Sequence, residues 1–190
     1  MESLRARSGV NYGETLPLNA ADVPNWCIQQ LVAWGASLGM EAFKGDEHQG
    51  VSTVVMGGKA LVIDVDFAIR RKGEGVTATP KLEIVNVKTS NALVAGNPNS
   101  NSSTSASLDS FLLDGIRDYC MEMQREEDLR DSQRAAALRR QMVEHLKYLV
   151  LLDRLASYTD GGGIKWFRDV DDLYPILLEV AKSEAQAVAV

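Results

Sequence analysis

The hydrophobic period of the chain changes along its length, and each period predicts a different kind of secondary structure. From Asp22 to Gly39 the apolar residues recur every three or four positions, which is typical of a helix packed on one side. Asp22 is expected to cap this helix and Gly39 to end it. The apolar positions are Val23, Cys27, Leu31, Trp34 and Leu38.

Between residues 40 and 89 the period becomes two, which predicts strands. Four strands are expected, at 40–44, 51–56, 60–69 and 81–89, joined by turns that contain glycine. Links this short favour antiparallel neighbours, because a parallel pair needs a crossover of about a dozen residues. The pattern therefore predicts an antiparallel meander, with Gly57-Gly58 as a two-residue hairpin turn whose positive φ values glycine allows.

The third predicted strand has two faces of opposite character. One face is apolar, and Asp64 and Asp66 share the other. The apolar residues are Leu61, Ile63, Val65, Phe67 and Ile69. Two carboxylates at this spacing are able to ligate a divalent cation, but a metal site needs further ligands. The other interpretation is a half-buried strand with a solvated acidic face.

The second half of the chain is predicted to be helical. A polar Asn- and Ser-rich tract at 91–107 has little to bury and predicts a mobile loop, after which Ser107 is expected to cap a helix. The helical spacing continues to Leu155, with a break predicted near 128–132. The run at 158–163, which ends in three glycines, predicts a further loop, and Pro175 is expected to start or kink the last helix.

These patterns predict an α+β fold with an N-terminal helix, a four-stranded antiparallel meander and a C-terminal set of three to four helices. We expect an extended arm at 1–21 and a single domain at 22–190. That domain comprises a helix plus sheet at 22–90, the polar loop at 91–107 and a helical half at 108–190. The chain stops at Val190 without a helix-stop residue, which predicts that it is a fragment of a longer polypeptide.

The composition is that of a soluble globular domain: 45% of the 190 residues are hydrophobic and 24% are charged. The net charge of -6 disfavours direct binding of nucleic acid, which usually needs clustered Lys and Arg. We expect no secretory signal and no membrane span, since no apolar run of ~20 residues occurs. Cys27 and Cys120 lie far apart without zinc-type spacing, which fits a reducing compartment rather than a disulfide or zinc framework.

The sequence has no glycine motif for phosphate binding and no motif that pairs His48 or His145 with a nucleophile. We therefore expect no catalytic, cofactor-binding or metal-binding residues. His48 is expected to be exposed and His145 to flank a helix. An apolar helical surface is the better candidate for a partner site. The candidate partner-binding residues, each also interpretable as core, are Trp26, Trp34, Tyr174, Leu177 and Leu178.

Three segments of the chain resemble, in the same order, motifs of the N-terminal domain of Mediator complex subunit 1. Residues 54–67 resemble its strand, glycine turn, strand signature, and 149–157 resemble a helix that ends in a Leu-Asp-Arg-Leu-Ser-type motif. Residues 166–174 resemble the segment with Phe and Leu-Tyr that follows. The resemblance covers roughly residues 38 to 182, and the Asn/Ser-rich insert at 95–107 indicates a fungal member.

The resemblance implies a non-enzymatic docking subunit in the middle module of Mediator, the nuclear coactivator that links transcription activators to RNA polymerase II. The implied partners are other middle-module subunits, with activators reached indirectly or through other parts of the full chain. The Leu-x-x-Leu-Leu motif with which animal members bind receptors is not found; the nearest segments are 173–177 and 146–150. Direct receptor binding by this segment is therefore not expected.

An alternative of another class rests on the two aspartates. In it the chain is a metal-dependent enzyme or nucleotide-sugar binder that uses Asp64 and Asp66. The preceding hairpin would bring further ligands close to them, from Asp46, Glu47 or His48.

Overall fold

The computed structural model describes residues 20–71, 79–91, 105–126, 129–158 and 162–188, with residues 157, 158, 162–168, 170, 171 and 188 described by their backbone alone. A short 3-10 turn and a helix open this part of the chain, a four-stranded sheet follows, and three helices end it, which confirms the predicted α+β class. The turn is Ala20–Asp22, and the other elements are α1 (Val23–Ser37), β1 (Glu41–Lys44), β2 (Val51–Gly57), β3 (Leu61–Arg71), β4 (Pro80–Asn91), α2 (Ala106–Met123), α3 (Ser132–Tyr158) and α4 (Gly162–Val188).

The four strands lie in the order β1-β2-β3-β4, and each neighbouring pair is antiparallel, as the short links predict. Alternate residues of β2 and β3 are buried, which gives the sheet one covered face. Ile69 was expected on this face but is 41% exposed. The reason is that β2 pairs with β3 only as far as Ala68, so the end of β3 extends past its neighbour.

The covered face of the sheet and helices α1, α2 and α3 share one hydrophobic core. Trp34 of α1 packs edge-on against Tyr119 of α2, with the ring centroids 4.9 Å apart. Rings in this arrangement place a positive edge against a negative face, which adds to the gain from burial. The helical side chains in this core that are less than 4% exposed are Cys27, Ile28, Leu31, Trp34, Leu112, Ile116, Tyr119, Cys120, Met142 and Leu146.

The caps of the first two helices differ in part from the prediction. Gly39 follows α1 with φ +87°, a conformation that glycine adopts without strain, and so ends the helix as expected. Asp22 precedes α1, but its side chain makes no capping hydrogen bond, since the chain enters the helix through the 3-10 turn. The cap of α2 is Ser105 rather than Ser107: its hydroxyl oxygen accepts from the N–H of Leu108 at 3.3 Å.

The connection between α2 and α3 is built around Glu122, which is buried although it is charged. Its carboxylate lies 3.3 Å from Nε of Arg125 and 3.5 Å from Nε of Arg134. It also accepts a hydrogen bond from the N–H of Asp131 at 2.9 Å. A buried carboxylate is tolerated only with such partners, so Glu122 fixes the predicted break between the two helices.

The predicted boundaries in the last third are less accurate. Tyr158 ends α3 and Gly162 begins α4, so only 159–161 of the predicted loop separate them, and those residues lie outside the described ones. Pro175 lies inside α4 instead of at its start.

The predicted arm at 1–21 falls outside the described residues up to 19, and Ala20 and Ala21 are in the 3-10 turn. Most of the predicted loop at 91–107, residues 92–104, also lies outside them.

The turn between β2 and β3 is held by a carboxylate from a distant helix. Asp153 of α3 accepts hydrogen bonds from the backbone N–H groups of Lys59 (2.8 Å), Ala60 (2.7 Å) and Leu61 (2.8 Å). The Asp153 side chain is buried. Three donors aimed at one buried carboxylate satisfy its charge, which has no water as a substitute, and hold the turn in place.

Gly58 is required by this contact and not by the backbone of the turn. A Cβ at position 58 would stand 2.5 Å from a carboxylate oxygen of Asp153. Among the described residues, positive φ occurs at Gly39, Gln49 and Gly50, so the predicted primed turn at Gly57-Gly58 is wrong. The N–H of Gly58 donates to the carbonyl of Leu61 at 2.7 Å, which places Lys59 and Ala60 at the tip of the hairpin.

Gly58→Ala is expected to lower the free energy of unfolding by about 2 kcal/mol or more, because the Asp153 carboxylate, the turn or α3 must move to admit the methyl group, and each movement disturbs the three hydrogen bonds. Gly57→Ala is the matched control, since its Cβ would meet nothing closer than the Glu41 carbonyl oxygen at 3.8 Å. Asp153→Ala should cost about 3 kcal/mol or more, because it leaves three amides without their acceptor. Urea denaturation measures all three, and equal stabilities of the two glycine variants would contradict this account.

Candidate functional site

The two aspartates of β3 lie side by side on the sheet face opposite the core, as predicted, and both are half-buried. Asp66 accepts a hydrogen bond from the hydroxyl of Thr53, its neighbour on β2, at 2.6 Å. Asp64 lies between Val55 of β2 and Lys88 of β4 in the register of the sheet. The Asp66 carboxylate thus accepts a hydrogen bond from a hydroxyl, and the Asp64 carboxylate has the ammonium group of Lys88 on the next strand.

The pKa of the Asp64 carboxyl is raised above its ordinary value, first by burial and then by the negative charge of Asp66, while Lys88 opposes the shift. Asp46, Glu47 and His48 lie in the β1–β2 connection and are exposed. Over the described ranges, no group of three His, Cys, Asp or Glu residues is arranged to hold a metal ion. The preceding hairpin therefore does not complete an acidic site around Asp64 and Asp66.

Cys27 and Cys120 are far apart in sequence, but the fold brings them into contact. Both are buried free thiols, in α1 and α2. A hydrogen bond to Cys27 and burial raise the pKa of Cys120 well above its ordinary value, because both favour the neutral thiol. A thiol in this environment packs as a small apolar group and is a poor nucleophile.

The five candidate partner-binding residues fall into two groups. Trp34 is buried, and Trp26 is partly buried and packs against the core, so these two serve the fold as the alternative interpretation expected. Leu177 and Leu178 are exposed on α4, and Tyr174 is intermediate. The structure therefore leaves two of the five, Leu177 and Leu178, well exposed to a partner.

Tyr174 joins α4 to the rest of the molecule through a chain of rings. Its ring lies 6.5 Å from that of Phe111 on α2, edge to face. Phe111 in turn lies 4.5 Å from the imidazole of His145 on α3. His145 is thus a helix-flank residue, as expected, and burial lowers its pKa from the ordinary value of 6.5.

Several exposed apolar side chains lie on each of two helices of the C-terminal half, α3 and α4, while α2 has Met121. On α3 they follow one helical face, at Tyr148, Leu151 and Leu155. On α4 they include three residues that are not among the candidate partner contacts: Leu173, Ile176 and Val180. The signal for them is present in the sequence, because the apolar arc of α4 is wider than one packing contact needs.

A cleft of 210 Å³ lies between β4 and α2. It is lined by Leu82, Glu83, Ile84, Arg117, Cys120 and Met121. Ligand pockets usually have volumes of about 300 Å³ or more, so this cleft is small for a cofactor.

Comparisons with protein-family models, with curated proteins and with solved structures find no match to this chain. Among the helices of the described part, none has the length and apolar character needed to cross a membrane.

The acidic strand face is predicted to be structural. Mg²⁺, Mn²⁺ and Zn²⁺ should leave the melting temperature unchanged, because a ligand that binds only the native state would raise it by mass action. Asp64→Asn with Asp66→Asn should remain within ~1 kcal/mol of the parent in unfolding free energy. A metal-dependent rise in the parent that the double variant loses would establish the metal site instead.

The stability of the fold is predicted to decrease as the pH falls from 7 through 6.5. Because the pKa of His145 is lowered in the folded state, the unfolded chain takes up this proton at a higher pH than the folded chain does. Protonation therefore favours unfolding until the pH lies below the folded pKa. His145→Gln has no proton to gain, and its unfolding free energy should change less over this interval in urea titrations. Identical slopes for the two proteins would contradict the prediction.

Proposed function

We propose that this chain is a non-enzymatic docking module of the Mediator transcription coactivator complex. It belongs to the middle module and helps to link activators to RNA polymerase II in the nucleus. Its direct partners are other middle-module subunits, and activators are reached indirectly or through other parts of the full chain.

The observation that carries this proposal is a contact between two of the three segments that resemble Mediator complex subunit 1. Asp153 lies in the segment 149–157, and its carboxylate binds three amides of the segment 54–67. Gly58 of that segment must lack a side chain for the contact to form. A resemblance made of separate segments is stronger evidence for a shared fold when the segments depend on each other, as these two do.

The distribution of apolar side chains also supports a docking role. Leu177 and Leu178 are exposed together with Leu173, Ile176 and Val180 on the same helix. Concentrated exposed apolar surface is typical of protein interaction sites rather than of a monomer that acts alone. No arrangement seen in the described residues favours the alternative of a metal-dependent enzyme or nucleotide-sugar binder.

The proposal predicts that the chain, tagged and expressed in fungal cells, co-purifies with middle-module subunits identified by mass spectrometry. Leu177→Ala should reduce their yield without lowering the melting temperature, because its side chain is 63% exposed. Trp34→Ala should instead lose roughly 3 to 5 kcal/mol of stability, because that side chain is in the core. The proposal fails if the folded parent brings down no Mediator subunit.

A further inference from the structure

The C-terminal half of α4 is exposed on almost every side. From residue 172 to 187 every side chain is exposed except that of Tyr174. Helices are stabilised in proteins chiefly by packing one apolar face, and short unpacked helices are marginal in water. This half of α4 carries apolar side chains that the described part of the chain does not cover.

The positions of these side chains around the helix separate two faces. At about 100° per residue, Tyr174 and Leu178 point to one side, and Leu173, Ile176 and Val180 point to another. Tyr174 contacts Phe111, and Leu178, at 40%, is less exposed than Leu173, Ile176, Leu177 or Val180, so this side faces the domain. The apolar arc spans roughly 200°, about twice the width that one packing contact requires.

The outward face defines what we call the α4 stripe. Its four side chains are between 49% and 63% exposed. They are Leu173, Ile176, Leu177 and Val180, in the i, i+3, i+4, i+7 pattern with which one helix packs along another. The α4 stripe is therefore shaped for a second amphipathic helix.

Acidic residues bracket the α4 stripe at both ends. Asp169 lies one turn before Leu173, and Glu184 lies one turn after Val180, both on the same line along the helix. Neither is buried. Their separation of 15 positions corresponds to about 22 Å at 1.5 Å per residue.

This charge pattern disfavours a second copy of the same helix as the occupant. Antiparallel pairing centred on the stripe would place Leu173 opposite Val180 of the other copy and Asp169 opposite its Glu184. Parallel pairing would place each acidic residue opposite itself. Both arrangements bring like charges together at both ends of the contact, which is unfavourable.

We propose that the α4 stripe docks an amphipathic helix of a different protein, whose own apolar residues are bracketed by Lys or Arg about four turns apart. The four apolar side chains supply the contact, and the pairs at Asp169 and Glu184 set the register and exclude self-association. The proposed pairing specifies the chemistry of the partner that the docking function requires. It rests on that proposed function. The pairing itself is measurable without Mediator.

The test uses the whole chain and two labelled synthetic peptides of about 20 residues that form amphipathic helices. Both carry leucine at the stripe positions; one has Lys at the brackets and the other has Glu. Fluorescence anisotropy should show the Lys peptide binding at least tenfold more tightly than the Glu peptide. Asp169→Lys with Glu184→Lys should reverse this preference, and Ile176→Ser with Leu177→Ser should abolish binding.

Leu151→Ser is the matched control, since Leu151 is an equally exposed apolar residue on α3, and it should leave peptide binding unchanged. Circular dichroism confirms that each variant stays folded. The proposal is overturned if neither peptide binds, if both bind alike, or if the serine double variant binds like the parent. It is also overturned if sedimentation shows that the parent is a dimer and that Ile176→Ser with Leu177→Ser is a monomer.

Co-purification distinguishes this inference from the function on which it rests. If Ile176→Ser with Leu177→Ser still brings down the middle-module subunits, the docking function stands and the α4 stripe is not its surface. If the parent binds the Lys peptide with the stated preference but brings down no Mediator subunit, the helix pairing stands and the proposed function fails.

Discussion

The bond between the Asp153 carboxylate and the β2–β3 turn sets the relation of the sheet to the helical half. The three amides lie 2.7 to 2.8 Å from the carboxylate oxygens and come from consecutive residues. A turn of that geometry binds an anion, and here the chain supplies the anion from more than 90 positions away. Since Asp153 is buried, loss of the turn amides leaves its charge uncompensated in the interior, and loss of Asp153 leaves the buried Leu61 amide without its acceptor.

Side chains of the helical half also bind main-chain groups of β4, the strand at the edge of the sheet. Asp109 of α2 accepts from both the N–H and the hydroxyl of Thr89 at 2.6 Å, and Gln124 accepts from the N–H of Leu82 at 2.6 Å and donates to its carbonyl at 3.1 Å. Edge strands expose main-chain groups that invite pairing with other chains. Asp109 of α2 and Gln124, which directly follows α2, thus form hydrogen bonds near the two ends of β4. The sheet is therefore bound to the helices by polar contacts as well as by the core.

Periodicity predicted the helices and the strands, because each pattern reflects which side chains are buried, and the short links predicted the antiparallel order of the strands. It placed the exposed Leu177 on an apolar helical face as readily as the buried Trp34, since an apolar position on a helix does not reveal what it faces. It also missed the reason for Gly58. The sequence offers glycine as a turn former, whereas the requirement comes from Asp153, which no local pattern connects to residue 58. Long-range contacts such as Cys27 with Cys120 are hidden for the same reason.

The anchored core and the exposed α4 stripe place opposite physical demands on the chain. Where Asp153, Asp109 and Gln124 bind the sheet, polar main-chain groups are satisfied internally. Among the described side chains of α4, that of Tyr174 packs on the domain, against Phe111, which in turn contacts His145. The apolar side chains on the outer side of α4 are exposed to water. Their burial against a partner therefore favours association. In the proposed docking role, the anchored part of the molecule presents this face.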